Sequence, residues 1–546
     1  MTADRILING RIITMDQAET TVEAVALRGD RIVATGTAGD LEPLCGPETE
    51  SIDLGGRVVL PGFIDTHVHI DCTATHTKLA GSCHLSPVDY VTVNKAASSR
   101  QEILDWIAAE ARQKPKGQWI IGQSRFTLED DGNSPTRAEL DAAAPDHPAM
   151  IRYSAHSQIL NSQGLAISGI TARRPSQEEM DAVSPGGRVI RDPSTGEPTG
   201  VLNECNDWVF RGNNPWPYEA LKGAILETCR EASRFGVTGI HEFTSWSDST
   251  RIYQDLYDEG TLPLRVQLCP CVYGLYQTLD MDALLRMGLK TGFGNEWIKF
   301  GSAKLFTDVE GKDNQGVYRE WPRIDQKSLN DIVTAANRAG IRMMMHATSR
   351  NGQTMAINAI EAALADTPRD DHRHRIEHFA GDYWPEGLAR LKALGIIPVP
   401  TPYSSLGWYG DGWLKTAKPG DKAVPYQSLL DMGFMPPGNS DCMGTEPESL
   451  NPWWSIWCTV SRRTRSGQLI CPEEGLSVLD AIRLYTTFSA FAGFEEHIKG
   501  SIEPGKLADL IVLSDDPFKV PVDALKDIRV TTTIVGGRTV HSEDAR

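Results

Sequence analysis

With 546 residues, the chain is too long for one ordinary compact domain, although barrel domains can be larger. Hydrophobic residues make up 40% of it and charged residues 23%, as in soluble globular proteins, and no apolar run approaches the roughly 20 residues of a transmembrane helix. The formal net charge of −18 excludes a basic surface for nucleic acid or an anionic membrane, and ten scattered cysteines without a CxxC pair indicate a reducing compartment. We therefore expect a soluble cytoplasmic protein with no nucleic-acid or membrane partner.

Short strands separated by turn signals are predicted at both ends of the chain. Residues 5–8 and 11–14 flank the hairpin dipeptide Asn9-Gly10, and residues 22–27 and 31–35 flank a second turn. Residues 508–513 and 531–535 have the same strand-like character near the C-terminus. These ends predict one small β-sandwich built from residues 1–60 and 495–546.

The middle of the chain alternates apolar runs typical of strands with longer helical patterns. Helical spacing is found at residues 218–235, 325–339, 353–365 and 385–394. The predicted strands are residues 58–69, 236–243, 262–273, 297–308, 341–348, 373–379, 396–401 and 437–441. Eight such steps predict an α/β fold with a (β/α)8 TIM-like barrel at residues 61–73 and 226–494, in which catalytic residues lie at the carboxyl ends of the strands.

One connection is far longer than a barrel needs. Loops between a strand and the following helix usually have about 2–6 residues, whereas residues 74–225 separate the first predicted strand from the second. This segment contains strand patterns of its own at residues 119–122, 149–153 and 188–190. We predict an inserted lobe over the barrel mouth.

The first barrel strand ends in a His-x-His motif, His67-Val68-His69, after an apolar run. Residues two apart on a strand point the same way, so the two imidazoles can bind one metal ion. Apolar residues before them would exclude competing water. Taken alone, the motif is equally typical of two histidines with structural roles.

Later strand ends carry residues that complete such a site. Lys304 lies on an apolar strand, where burial lowers the pKa of its amine and allows it to add CO₂ as a bridging carbamate; an outward-pointing side chain or a pair with Asp308 are the alternatives. The nitrogen and oxygen side chains at five strand ends are His67, His69, Lys304, His346, His378 and Asp441. They predict a catalytic site for one or two divalent ions, with zinc expected first and iron or manganese as alternatives.

The sequence resembles the amidohydrolase superfamily, and within it amidohydrolase family three. The resemblance rests on the segment from Pro61 to His69, on Arg375-Ile376-Glu377-His378, on Ser440-Asp441, on the tail from Lys499 to Leu510 and on several motifs of the lobe. It covers nearly the whole chain. It implies a barrel with a β-sandwich, bound metal, and hydrolysis of an amide-type C–N bond in a small organic substrate.

The resemblance also implies roles for individual residues. His67 and His69 with Asp441 would hold one ion, and His346 and His378 a second, bridged by carbamylated Lys304. A bound ion lowers the pKa of its water to about 7, giving hydroxide at neutral pH. Asp441 would accept the proton of that water and pass it to the leaving nitrogen, and His156 of the lobe would hydrogen-bond the oxyanion or the substrate. Asp65 is a candidate for supporting the metal ligands, or for capping a helix.

Two segments depart from the family pattern. Arg350 stands where the family carries an acidic residue, and we hypothesise that it binds a substrate carboxylate; a solvated loop arginine is the alternative. Residues 122–126 lack a tryptophan expected near the pocket.

Tyr403 and Trp408 are predicted to line a pocket for an apolar group, although helix packing or a subunit interface would also account for them. We expect a homo-oligomer, in the first instance a dimer.

Other functions on the same scaffold remain open. A deaminase typically has a glutamate three residues after the fifth-strand histidine, where this chain has Ser349. Lyase or isomerase chemistry also occurs on this barrel. A non-catalytic scaffold protein would be expected to lose metal ligands, and none is missing here.

Overall fold

The computed structural model describes residues 2–78, 88–91, 99–123, 134–153, 156–205, 208–209, 216–275, 278–312, 318–379, 384–418, 420–444 and 447–543. Its α-helices are Ala38–Leu41, Ile70–Thr77, Arg100–Gln113, Arg137–Ala143, Ser162–Ile167, Gln177–Asp181, Tyr218–Arg234, Ser249–Asp258, Met281–Met287, Gln326–Arg338, Arg350–Asp366, Pro385–Leu394, Gly410–Thr416, Tyr426–Asp431, Pro452–Ser461, Val478–Tyr485 and Thr487–Ala492. In this part of the chain, no helix is both long and apolar enough to cross a bilayer.

Both ends of the chain contribute to one six-stranded sheet. Its strands are, in spatial order, Arg538–Ser542, Val530–Val535, Leu510–Leu513, Val58–Pro61, Arg11–Ile13 and Thr21–Val22. A four-stranded sheet follows the order Arg31–Gly36, Ala24–Arg28, Arg5–Ile8 and Glu50–Asp53. Val58–Pro61 pairs antiparallel with Leu510–Leu513, and one cluster of buried apolar side chains draws on strands of both sheets. Burial of alternate apolar residues therefore ties the two chain ends together.

The middle of the chain forms two parallel sheets. The strands are β1 (Phe63–Val68), β2 (Val237–Glu242), β3 (Arg265–Leu268), β4 (Cys271–Tyr273), β5 (Ile298–Phe300), β6 (Ala303–Phe306), β7 (Met343–His346), β8 (Arg375–Glu377) and β9 (Ile397–Val399). One sheet has the order β5–β3–β2–β1 and the other β4–β6–β7–β8–β9, and all pairs in both are parallel. Nearly all of their residues are buried, polar ones included, as expected for parallel strands that are covered on both faces. The chain is thus an α/β protein.

The strands predicted at residues 262–273 and 297–308 are each divided in two. Pro270 has no N–H to donate and separates β3 from β4, while Gly301 and Ser302 separate β5 from β6. Backbone hydrogen bonds join the two segments across both interruptions. The N–H of Gly301 donates to the carbonyl oxygen of Leu268, and the N–H of Lys304 donates to that of Pro270. These four short strands carry the chain from one parallel sheet to the other.

The prediction of a regular strand at residues 437–441 is wrong. These residues form no regular series of strand-pairing hydrogen bonds, and Asp441 adopts a left-handed backbone conformation with φ 49°. Single backbone hydrogen bonds nevertheless hold it beside β1: Thr66 N–H donates to Gly438, and Asp441 N–H donates to His67 at 2.8 Å. The end of this segment therefore lies next to the end of β1.

Residues between β1 and β2 build a separate six-stranded sheet. Its spatial order is Arg188–Arg191, Pro198–Asn203, Ser157–Leu160, Ala149–Arg152, Trp119–Gln123 and Val88–Val91. The three strands predicted in this segment are present. A hairpin after β6, formed by Asp308–Lys312 and Tyr318–Pro322, reaches this sheet's loops, where the indole of Trp321 donates to Gly186. Of the predicted departure at residues 122–126, residues 124–126 lie outside the described residues.

The four predicted helices agree with the structure to within a few residues. Residues 353–365 belong to a longer helix, Arg350–Asp366. It begins earlier because the hydroxyl of Ser349 accepts the N–H of Gly352 and so caps the first turn.

Candidate metal centre

Carboxyl ends of parallel strands bring four histidines together. His67 lies near the end of β1, His346 ends β7, and His378 directly follows β8. The ring centroids of His67 and His378 are 4.8 Å apart, those of His346 and His378 4.5 Å, and those of His67 and His69 5.6 Å. The sequence predicted this meeting from strand positions alone.

Asp441 lies between the imidazoles. Its carboxylate oxygens are 3.3 Å from His67 Nε2, 3.7 Å from His69 Nε2 and 3.6 Å from His378 Nδ1. One ligand atom each from His67, His378 and Asp441 lie within 4.8 Å of one another. The structure therefore groups His378 with His67 and Asp441, whereas the sequence assigned His378 to a second ion with His346; the two-ion arrangement stays a prediction.

Glu377 fixes the orientation of His67. The Nδ1 atom of His67 is 2.7 Å from Glu377 Oε2, and both side chains are buried. Because a carboxylate accepts the Nδ1 proton, the lone pair of the ring is at Nε2, which has no hydrogen-bond partner among the described residues. Arg375 in turn donates to both oxygens of Glu377 at 2.8 Å. This role of Glu377 was not predicted from the sequence, although alternation along β8 places Arg375 and Glu377 on one face of the strand.

Two of the grouped residues have unusual backbone conformations. His378 has φ 61° and Asp441 has φ 49°, both in the left-handed region. For residues other than glycine this conformation costs about 1–3 kcal/mol and persists where surrounding contacts enforce it. Asp65 provides such a contact, because its carboxylate accepts the N–H of Ser440 and the N–H of His67. Asp65 thus joins the segment that carries Asp441 to β1 and does not bond an imidazole.

Lys304 is fully enclosed beside the histidines. Its Nζ lies 4.2 Å from the centroid of the Phe243 ring and 5.0 Å from that of Phe306, and it has no hydrogen-bond partner within the described chain. Burial lowers the pKa of Lys304 to about 8, against the opposing charges of Glu377 and Asp441. The side chain does not extend outward.

Asp308, the alternative partner of Lys304, is engaged elsewhere. Its carboxylate accepts the N–H groups of Thr348 and Ser349 and the Ser349 hydroxyl, at the start of the helix Arg350–Asp366. A carboxylate at a helix N-terminus is favoured by the unpaired N–H groups there. The alternative in which Lys304 pairs with Asp308 is therefore wrong.

Burial sets the protonation of the imidazoles. It lowers the pKa of His69 to about 3 and those of His67, His346 and His378 well below the ordinary value, and Lys304 adds to the effect in each case. All four rings are therefore neutral at pH 7, the form that binds metal. Burial also raises the pKa of Asp441 to about 7, against the positive charges of Lys304 and His156.

The inserted segment contributes His156 to this cluster. The centroid of its ring is 6.1 Å from that of His346. Nδ1 of His156 is 2.6 Å from Glu204 Oε1, and the other oxygen of Glu204 accepts from Arg323 at 2.6 Å. Burial lowers the pKa of His156, but the charge of Glu204 outweighs it, so the net shift is upward. Glu204, itself held by Arg323, therefore fixes the orientation of the His156 ring through its Nδ1 atom.

Each of the three predicted substrate contacts packs against an aromatic or cationic side chain. Arg350 is exposed at the start of its helix, with its guanidinium 4.8 Å from the centroid of the Trp384 ring. Tyr403 is buried with its ring 5.6 Å from that of Trp454, and Arg465 lies 4.5 Å from the ring centroid of Trp408. The described contacts of these residues are packing contacts, and their part in substrate binding stays a prediction.

Comparisons with known proteins agree with this architecture. The chain is 26% identical to N-substituted formamide deformylase of Arthrobacter pascens, over 98% of this chain and 97% of that protein. The crystal structure of an uncharacterized metal-dependent hydrolase from Pyrococcus horikoshii OT3 is similar with a TM-score of 0.69 and 21% identity, covering 95% of this chain and 99% of that one. Atrazine chlorohydrolase TrzN from Arthrobacter aurescens TC1, complexed with zinc, has a TM-score of 0.55 and 14% identity, over 99% and 97% of the two chains.

A family model supplies the decisive match. The model described as the amidohydrolase family matches residues 50–541, which includes every strand of the two parallel sheets. This match confirms the predicted resemblance and supports the predicted enzyme class, a hydrolase that acts on carbon–nitrogen bonds. The chain belongs to the amidohydrolase family.

Proposed function

We propose that this chain is a metal-dependent hydrolase that cleaves an amide-type carbon–nitrogen bond of a small organic substrate. The observation that carries the proposal is the group formed by His67, His378 and Asp441, whose ligand atoms lie within 4.8 Å of one another at the ends of parallel strands. The similarity to N-substituted formamide deformylase, and to hydrolases described as metal-dependent or zinc-bound, supports the same chemistry.

The residues present fit a divalent ion. Neutral imidazoles and a carboxylate are ligands that zinc accepts, and iron or manganese accept the same set. Buried polar atoms are normally hydrogen-bonded, yet His67 Nε2 and Lys304 Nζ lack a partner among the described residues. His67, His69 and Asp441 would hold one ion, and His346 and His378 a second, with Lys304 as a carbamate serving both; His378 also lies within reach of the first ion. When bound, an ion polarises a carbonyl and makes water more acidic.

Asp441 is the proposed general base. Its carboxylate is held at the centre of the cluster by the backbone bond from its own N–H to His67. There it would take the proton of the attacking water and deliver it to the leaving nitrogen as the carbon–nitrogen bond breaks.

His156 is the proposed donor to the developing oxyanion. Because Glu204 is bonded to Nδ1, the Nε2 atom of His156 is directed away from that pair, and the ring faces His346. With Nδ1 donating to Glu204, Nε2 carries a proton only in the imidazolium form, which burial disfavours but the charge of Glu204 favours, so that the pKa of His156 is raised. That N–H would stabilise negative charge on the carbonyl oxygen of the substrate. Arg323 holds Glu204 in place, so the donor is fixed before substrate arrives.

The finer architecture belongs to the same proposal. We assign residues 61–73 and 226–494 to a (β/α)8 barrel, residues 1–60 and 495–546 to a β-sandwich, and residues 74–225 to a lobe over the mouth. Support comes from the parallel order of β1–β9 and from the hydrogen bonds between β1 and residues 437–441.

Arg350 would bind a substrate anion, and Tyr403 and Trp408 would bind an apolar group of the substrate. A cytoplasmic dimer is our expectation, and none of the nine described cysteines forms a disulfide, as in a reducing compartment.

Assays of the purified protein test this function. The metal content is measured, and hydrolysis is followed on a panel of N-substituted formamides, N-acetylamines and ureas, before and after treatment with a chelator. We expect release of amine from at least one class, its loss on chelation and its return with added zinc, manganese or iron. His67→Ala is the inactive control. The proposal is wrong if no member is hydrolysed under any metal condition, or if the activity resists complete metal removal.

A further inference from the structure

The helix Ile70–Thr77 begins directly after His69 and is not capped by the residue before it. His69 occupies the N-cap position, and its side chain makes no capping hydrogen bond. The helix Arg350–Asp366 is capped in the usual way, by the hydroxyl of Ser349 in the same position. The first N–H groups of a helix have no partner within it, so a helix that follows a metal-binding imidazole needs acceptors from elsewhere.

Glu242, the last residue of β2, supplies these acceptors. Its side chain is fully buried, and its two carboxylate oxygens accept the N–H of Ile70 at 2.8 Å and the N–H of Asp71 at 3.0 Å. The N–H of Phe243 donates at 3.0 Å to the carbonyl oxygen of the residue that precedes His69. Hydrogen bonds from the end of β2 therefore hold the chain on both sides of His69.

Asp71 binds in return the loop that follows β2. Its side chain is also fully buried, and one carboxylate oxygen accepts the N–H of Ser245 at 2.6 Å, the N–H of Trp246 at 3.2 Å and the hydroxyl of Ser249 at 2.6 Å. Glu242 thus binds the turn after β1, and Asp71 binds the turn after β2. Because breaking buried hydrogen bonds leaves polar groups unpaired, neither turn can shift without cost.

His69 is the member of the metal cluster that depends on this arrangement. Its Nε2 atom lies 3.7 Å from the carboxylate of Asp441, and its ring centroid is 5.4 Å from that of Phe243. His69 lies one residue beyond the end of β1, so strand pairing does not extend to it. Its backbone is held by the bonds from Glu242 and Phe243 to the residues beside it and by its own N–H, which donates to Cys442 at 3.1 Å.

We propose that Glu242 is a positioning residue of the metal centre, which sets the place of His69 by capping the helix that begins after it. The inference rests on the proposed hydrolase function and adds a residue that acts through another. A zinc–nitrogen bond of about 2.0–2.1 Å requires that each ligand be held to within about 0.5 Å. Without the acceptors of Glu242, the N–H groups after His69 would be unpaired, and the turn that carries its imidazole would relax.

Substitutions that remove one or both acceptors test the inference. Glu242→Gln keeps one carbonyl oxygen, and Glu242→Met fills a similar space without an acceptor. Asp509→Asn is the matched control, because Asp509 is a buried carboxylate that accepts from Arg265 at 2.7 and 3.0 Å, at the amino end of β3 and so at the opposite end of the strands. The zinc Kd is measured by competition with a chelator, and the visible absorption of the cobalt-loaded protein reports the geometry of the ligands.

We expect the zinc Kd to rise about tenfold or more for Glu242→Met, to rise less for Glu242→Gln and to stay unchanged for Asp509→Asn. The cobalt bands should shift in the Glu242 variants only. Wild-type affinity and cobalt bands in folded Glu242→Met, or in Glu242→Gln if the methionine variant does not fold, would overturn the inference. An equal loss of affinity in Asp509→Asn would overturn it too, because lowered stability would then account for the effect. If wild type binds zinc but hydrolyses no amide, the proposed function fails and the positioning role stands.

Discussion

Glu377→Gln removes the charge that orients His67 and keeps the shape of the side chain. In the wild type, Glu377 accepts from His67 Nδ1 at 2.7 Å and from Arg375 at two positions, both at 2.8 Å, and all three side chains are buried. Loss of such an outer partner typically weakens metal binding 10–100-fold, which corresponds to about 1.4–2.7 kcal/mol. Both glutamine and alanine remove the carboxylate partner of the buried Arg375, a loss that can cost about 3–5 kcal/mol of stability. Glutamine is the informative change because it keeps an acceptor oxygen and fills the same space.

The assay is a competition between the protein and a chelator of known zinc affinity, followed at equilibrium. Glu361→Gln is the matched control, because Glu361 pairs with Arg390 at the surface at 2.6 Å, where such pairs contribute little. We expect the zinc Kd to rise 10–100-fold for Glu377→Gln and to stay unchanged for Glu361→Gln. Zinc affinity equal to that of wild type in a folded Glu377→Gln protein would refute the role assigned to Glu377.

Three further changes have defined outcomes. Asp441→Asn should nearly abolish turnover while metal content falls less than in His67→Ala, and retained activity would disprove the role of Asp441 as base. Bicarbonate labelled with ¹³C should give a carbamate NMR signal in the metal-loaded protein that Lys304→Gln lacks; equal signals would exclude modification of Lys304. Burial raises the pKa of Glu495, but its two ion pairs, with Lys499 and Lys299, lower it to about 2. Because the pKa is lower in the folded protein, these ion pairs stabilise the fold above pH 4.5, and that stabilisation is lost as the pH falls toward 2. Glu495→Gln should therefore flatten the fall of Tm on acidification, and an unchanged slope would contradict that linkage.

Much of the fold was predictable because periodicity reports burial. Apolar runs gave the positions of β2, β7, β8 and β9, and His-x-His at the end of β1 indicated which strand ends to compare. The sequence could not show where a strand divides or loses its ladder. Pro270 interrupts one predicted strand, and the left-handed Asp441 ends another without regular pairing. Both departures depend on local backbone geometry, which periodicity does not report.

The candidate site was predictable as a set of residues but not as a set of contacts. Spacing indicated that His67, His378 and Asp441 would meet, yet their grouping depends on side-chain directions at the ends of different strands. The support of His67 by Glu377 was missed because a charged residue beside a histidine looks the same in sequence whether it faces solvent or the core.

Strand ends that are distant in sequence are expected to hold one divalent ion together. Anomalous diffraction from crystals of the zinc-loaded protein, collected on both sides of the zinc edge, tests it most directly. We predict at least one peak about 2.0–2.1 Å from a ring nitrogen of His67 and in contact with His378 and Asp441. A map with no peak among these side chains, from crystals grown with zinc and again with manganese or iron, would contradict the account.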